Sequence, residues 1–107
     1  MSIAVDLAEL PDALGGYPWG YFTTVGDDGR AHLLAVPTDW RDGALHLSAG
    51  KGSRANATAR PHVTIAFPGS DGTGYSLIVD GVAEVRGEWV VVTPTWAVLH
   101  RPALRDD

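Results

Sequence analysis

Between Tyr75 and Arg86 the side chains alternate with a period of two. Leu77, Val79, Ala83 and Val85 fall on one face, and Asp80, Glu84 and Arg86 on the other. That period marks a strand with one buried face. Gly81 interrupts the run and predicts a bend or bulge, as closure of a barrel requires. Shorter stretches repeat the pattern. Tyr21 to Val25 is rich in aromatic and β-branched residues, Leu45 and Leu47 alternate with His46 and Ser48, and Val63, Ile65 and Phe67 share a face. Ala31 to Thr38 and Trp89 to Thr93 complete a set of six strands, with Pro37 marking an edge or a bulge.

The turns agree. Thirteen glycines and seven prolines punctuate 107 residues, so helices are few and links short. Gly26-Asp27-Asp28-Gly29 predicts one hairpin and Arg41-Asp42-Gly43 another turn. Two or three short helices fit between. One runs from Asp6 to Leu14, with Asp6 and Glu9 as a capping box and Gly15-Gly16 as its end. A second is capped by Ser53 and stopped by Pro61, and Pro94 starts a helical turn carrying Trp96, Leu99 and His100. Six strands with mostly hairpin-length links predict a small antiparallel barrel in one domain, residues 1–107.

Composition narrows the functional classes. A net charge of −5 argues against a sequence-independent nucleic-acid binder. Without cysteine there is no disulfide, thiolate zinc site or cysteine nucleophile. The first fourteen residues carry acids and no base, unlike a secretory signal, and no apolar run approaches a membrane span. A cytoplasmic chain is the expectation. Four tryptophans imply either an aromatic core or a surface covered by a partner.

From Ala44 to Ser70 there is no Asp or Glu, while Lys51, Arg54 and Arg60 fall inside. Such a window in an acidic chain points to a local anion site, or to a solvated basic face. Gly50-x-Gly52-x-x-Ala55 has the spacing of a dinucleotide fingerprint, but Pro61 stops the helix too soon and the flanking strands alternate. Two readings stand for this segment. The helix N-terminus, Lys51, Ser53 and Arg54 seat one phosphate or carboxylate, or Ser53 only caps the helix and the cations are solvated.

His32, His46, His62 and His100 lack metal-ligand spacing, so no metal is expected, although His46 and His62 would be close if their strands paired. There is no Gly-x-Ser-x-Gly elbow. Asp27-Asp28 and Asp106-Asp107 read as solvated charges. No dedicated acid or base stands out, so an enzyme of this sequence would rely on a cofactor.

Taken in order, these motifs resemble a known family. Asp28-Gly29-Arg30 precedes a strand ending Val36-Pro37, followed by Leu45-x-Leu47-x-Ala49, Lys51-Gly52-Ser53-Arg54 and Asn56. Pro61-His62-Val63-Thr64-Ile65, Tyr75-Ser76-Leu77 and Gly81-Val82-Ala83-Glu84-Val85 continue it, so that about residues 5–102 are covered. The chain resembles the pyridoxamine 5′-phosphate oxidase-like split barrels, and among them the small actinobacterial-type members that bind FMN or a deazaflavin.

The resemblance implies a mainly β, six-stranded antiparallel split barrel of Greek-key type, forming a homodimer with its cofactor in a groove at the interface. It implies that Lys51, Ser53, Arg54 and Asn56 lie near the cofactor phosphate. It places Val36, Pro37, Thr38, His46, Leu47 and Ser48 along the ring, with Trp96 and the His100-Arg101 pair supplied by the partner subunit. The family often has a basic residue three positions before the helix Asn. Ser53 stands there, so Arg54 or Lys51 would take over. The implied function is a flavin- or deazaflavin-dependent oxidoreductase acting on a small molecule, without nucleic acid or membrane. The alternatives are a non-catalytic flavin carrier and a cofactor-free dimeric interaction domain.

Overall fold

The structure is a computed structural model describing residues 1–69 and 74–103. The Asp106-Asp107 pair and part of the loop expected over Pro68 to Gly74 lie outside the described residues. Eight strands form one antiparallel sheet: β1 (Ser2–Ala4), β2 (Trp19–Val25), β3 (Ala31–Pro37), β4 (Asp39–Arg41), β5 (Ala44–Ser48), β6 (His62–Phe67), β7 (Ser76–Arg86) and β8 (Trp89–His100). The order is β3-β2-β6-β7-β8-β5-β4, with β1 also pairing β8. The helices are α1 (Leu10–Leu14), preceded by a 3-10 turn over Leu7–Glu9, and α2 (Lys51–Ala59). The sheet curls into a half-barrel, in keeping with the antiparallel barrel that the alternation predicts and the split barrel that the resemblance implies.

Register explains why it curls and where its core lies. The row Leu34–Phe22–Ile65–Val79–Ala97 runs across five strands on the concave side. Four of the five are fully or almost fully buried, Leu34 partly. Leu45 and Leu47 of β5 meet Val92 and Val90 of β8 on the same side. Leu10 and Leu14 of α1 and Ala57 of α2 close over it.

Gly81 behaves as expected. The β7–β8 register shifts between Asp80 and Gly81, with Asp80 opposite Trp96 and Gly81 opposite Pro94. A Cβ on Gly81 would stand 2.6 Å from the Thr93 carbonyl oxygen and from Val92 Cγ1, so only glycine lets the backbones meet.

Several expectations are corrected. Among the described residues there are eight strands where six were expected, because the three-residue β1 and β4 are too short to show alternation. Pro94 begins no helical turn, and β8 runs on to His100. The absent proline N–H falls at the bulge, where Thr95 is the extra residue and the ladder is already broken. The helix expected over Asp6 to Leu14 is a 3-10 turn followed by α1, Pro11 lies in the first turn of α1, and Asp6 makes no side-chain cap. Gly50, not Ser53, is the N-cap of α2, which places Ser53 inside the first turn. His46 and His62 are not neighbours, since β7 and β8 separate their strands.

The tryptophans are not in the core. Trp19, Trp89 and Trp96 are exposed and Trp40 is half-buried. Trp19 and Trp96 belong to the convex face, where the row Leu33–Thr23–Thr64–Asp80–Trp96 lies beside Ala35–Tyr21–Ala66–Ile78–Val98. Leu33 is 62% exposed, and the Trp19 and Tyr21 rings meet edge to face at 5.2 Å. No helix of the described residues is long and apolar enough to cross a membrane.

Candidate functional site

A groove of about 590 Å³ opens between the β2–β3 hairpin and the start of α2. Asp28, His32, Leu33 and Leu34 line the hairpin side, and Gly50, Gly52, Ser53 and Asn56 the helix side. The volume is that of an ordinary small-molecule cleft.

Side chains from α2 and from its C-cap, Arg60, lock the two walls together. Asn56 Nδ2 donates to Thr24 Oγ1 at 3.2 Å, inside the base of the hairpin. Arg60 Nε donates to the Val25 carbonyl at 2.7 Å, and its Nη2 pairs with Asp27 Oδ1 at 2.8 Å. Arg60 is thereby paired with the exposed Asp27. Asp28 has a different environment: its Oδ1 accepts the Arg30 backbone N–H at 3.0 Å and lies 3.8 Å from His32 Nε2.

The helix end facing the groove is bare. The first intrahelical bond runs from Arg54 N–H to the Gly50 carbonyl, so the amides of Lys51, Gly52 and Ser53 have no acceptor within the helix. Gly50 has φ −66° and ψ 167°, a conformation open to any residue. Cβ atoms added at Gly50 or Gly52 would meet nothing within 4 Å. The fold requires glycine at neither position, and the effect of glycine is to leave the amides uncovered.

Comparison with known proteins completes the picture. No protein-family model matches the chain. It is 38% identical over 120 aligned residues to an uncharacterised protein of Mycobacterium tuberculosis, covering 95% of this chain and 84% of that one, and equally to one of Mycobacterium bovis. An F420 Reductase superposes with TM-score 0.67 at 19% identity, over 80% of this chain and 94% of that one. The FAD binding protein of Mycobacterium smegmatis does so with TM-score 0.67 at 22%, over 94% and 100%. A pyridoxinephosphate oxidase family protein from Clostridium acetobutylicum, related to general stress protein 26, gives TM-score 0.70 at 13%, over 91% of each.

The chain belongs with the uncharacterised proteins of Mycobacterium tuberculosis and Mycobacterium bovis, and its fold is the split barrel.

Within this split barrel the residues singled out in the sequence are dispersed. Ser53 and Asn56 line the groove. Lys51 is exposed at the first position of α2. Arg54 turns away, its Nη1 donating to the Gly87 carbonyl at 2.9 Å and its Nε buried without a partner. Val36 and Leu47 are buried in the core. Pro37 pairs with Trp19 at one end of the convex face. Thr38 lines a separate cleft of about 250 Å³ with Tyr17 and Trp40. His46 is held to the Arg41 carbonyl at 3.1 Å, and Ser48 is exposed opposite Trp89. Trp96 lies on the convex face and borders a cleft near Asp6 and Leu7.

The groove adds Asp28, His32, Leu33 and Leu34, which sequence reasoning did not select. Their one signal is position, on the strand after the Asp-Gly turn. No cluster of metal-ligating side chains occurs among the described residues. Outside the groove, the Arg86 guanidinium beside exposed Glu84 holds that carboxyl below its usual range.

Proposed function

We propose that this split barrel binds a flavin-type cofactor, FMN or a deazaflavin, in the groove between the β2–β3 hairpin and α2, and serves as a cytoplasmic oxidoreductase. The observation carrying this reading is the bare first turn of α2, where two glycines the fold does not need leave three amides free beside a groove. Those amides and the Ser53 hydroxyl form a donor set suited to one phosphate, and Lys51, exposed at the first position of α2, adds positive charge to that end of the helix. Leu33 and Leu34 offer apolar surface to a ring and exclude water from it. Bound there, the cofactor supplies hydride or electron transfer. His32 stands on the groove wall with its Nε2 3.8 Å from Asp28 Oδ1.

The reading includes a homodimer. Three exposed tryptophans and an apolar convex face support it, because a small domain gains from sharing such a surface. Leu33 belongs both to that face and to the groove, so a second copy would border the site.

A cofactor-free dimer is the second reading. It is favoured by Arg54, whose hydrogen bond to Gly87 leaves the groove without an arginine clamp, and by the Asp28 carboxylate in the groove wall.

Thermal melting against FMN, FAD, a deazaflavin cofactor and plain phosphate separates the two. A ligand at a hundred times its dissociation constant adds about 2.7 kcal/mol. In a domain this size that raises the melting point by roughly 10 °C. A selective shift with one ring cofactor supports the first reading. No shift, or one with phosphate alone, overturns it.

A further inference from the structure

Among the described residues, β1 pairs with β8 and with no other strand. The Met1 carbonyl accepts the Arg101 N–H at 3.1 Å, and the Val5 N–H donates to the Ala97 carbonyl at 3.0 Å. Bonded residues alternate in an antiparallel pair, so Ser2 and Ala4 turn their N–H and C=O groups to the outer edge. All three residues of β1 are exposed. Charge beside this edge has one sign. Asp6, Glu9 and Asp12 follow β1, are exposed, and have no ion-pair partner among the described residues. No Lys, Arg or His precedes Arg30 in the chain. Arg101, paired with the other end of β1, lies over the Tyr75 ring, 4.8 Å from its centroid. Two clefts of about 510 and 480 Å³ share Ala4, Val5 and Glu9. The first adds Asp6 and Leu7, the second Ile3 and Asp12.

We propose that the outer edge of β1 docks an extended basic segment of a partner protein. The segment adds as a further strand on Ser2 and Ala4 and sets lysine or arginine side chains against Asp6, Glu9 and Asp12. An open edge is a template for any extended chain, because its main-chain groups are unpaired. Charge selects among the candidates. A second copy would bring the same three carboxylates and a net charge of −5, so it is opposed at this edge. A basic segment meets complementary charge and no competing cation. Side chains of an added strand alternate between its two faces, and its apolar ones have the clefts beside Leu7 and Ile3 to enter. Only two residues offer main-chain groups, so the contact is weak and its selectivity is electrostatic. The inference depends on neither the cofactor nor the homodimer.

Titration of the full chain with synthetic peptides tests this, read by fluorescence anisotropy and by amide chemical shifts. The probe is a peptide alternating lysine and valine. Its controls are the same peptide with glutamate in place of lysine, and the lysine peptide with every amide N-methylated. The lysine peptide should bind and move the Ser2 and Ala4 amide signals, and neither control should. Asp6→Asn combined with Glu9→Gln should weaken it about fivefold at low salt, as loss of two exposed ion pairs implies. Ala4→Pro removes an outward N–H and should weaken it too, with an unchanged circular dichroism spectrum. Equal binding of the N-methylated peptide means that charge alone holds it, and overturns strand addition whether or not Ala4→Pro folds. Binding indifferent to the Asp6 and Glu9 changes, shifts confined to other strands, or no binding of the lysine peptide overturns the inference.

Discussion

Asn56 reaches from the middle of α2 to Thr24 of β2, giving its side-chain amide to a hydroxyl only 1% exposed. One hydrogen bond therefore joins the helix that opens the groove to the hairpin that closes it. Asn56→Ala leaves the Thr24 hydroxyl buried without that donor and should cost about 1–3 kcal/mol in urea denaturation. Thr24→Val in the same background should recover part of the loss. Additive losses in the double mutant would mean that the two residues act separately.

Gly52→Ala should separate folding from binding. The position lies in the first turn of α2 with open space around it, and alanine is the better helix former by about 1 kcal/mol. The melting temperature should rise while the affinity for FMN or deazaflavin, read by fluorescence quenching, falls. A more stable variant that binds as before would remove the case for a ligand at this helix end.

Gly81→Ala should do the opposite and damage the fold. Its Cβ would collide with the Thr93 carbonyl across the bulge, where β7 and β8 cannot part without losing their ladder. A cost of about 1–3 kcal/mol is expected from equilibrium unfolding, as for overpacking elsewhere. Wild-type stability would show that the strands relax at this point.

Asp28→Asn keeps the acceptor that holds the Arg30 amide but removes a negative charge from the groove wall. An anionic ligand should bind severalfold more tightly at low salt, with the gain fading as the Debye length shortens to about 8 Å at physiological ionic strength. Titration at two salt concentrations checks both parts. A gain independent of salt would point to shape rather than charge.

Which features were legible in the sequence follows from how local their causes are. The period-two pattern of β7, the bulge at Gly81 and the Asp42-Gly43 turn, with φ of 54° and 75°, depend on adjacent residues and could be read directly. The groove could not. Its walls come from Asp28 to Leu34 and from Gly50 to Asn56, brought together by hydrogen bonds spanning more than thirty positions. Arg54 looked free for an anion because its acceptor, the Gly87 carbonyl, lies 33 residues away. Pro94 looked like a helix start because only the partner strand reveals that its missing N–H falls at a bulge.

The long strand β8 pairs with β7 along its length, with β5 through its first half and with β1 through its second. Among the described residues, β1 and the β4–β5 hairpin have no other route into the sheet. During synthesis, then, the amino-terminal strand and this hairpin wait unpaired until Trp89–His100 leaves the ribosome. A nascent chain with β8 still inside the ribosome would present open strand edges to chaperones, and emergence of those twelve residues would complete the sheet.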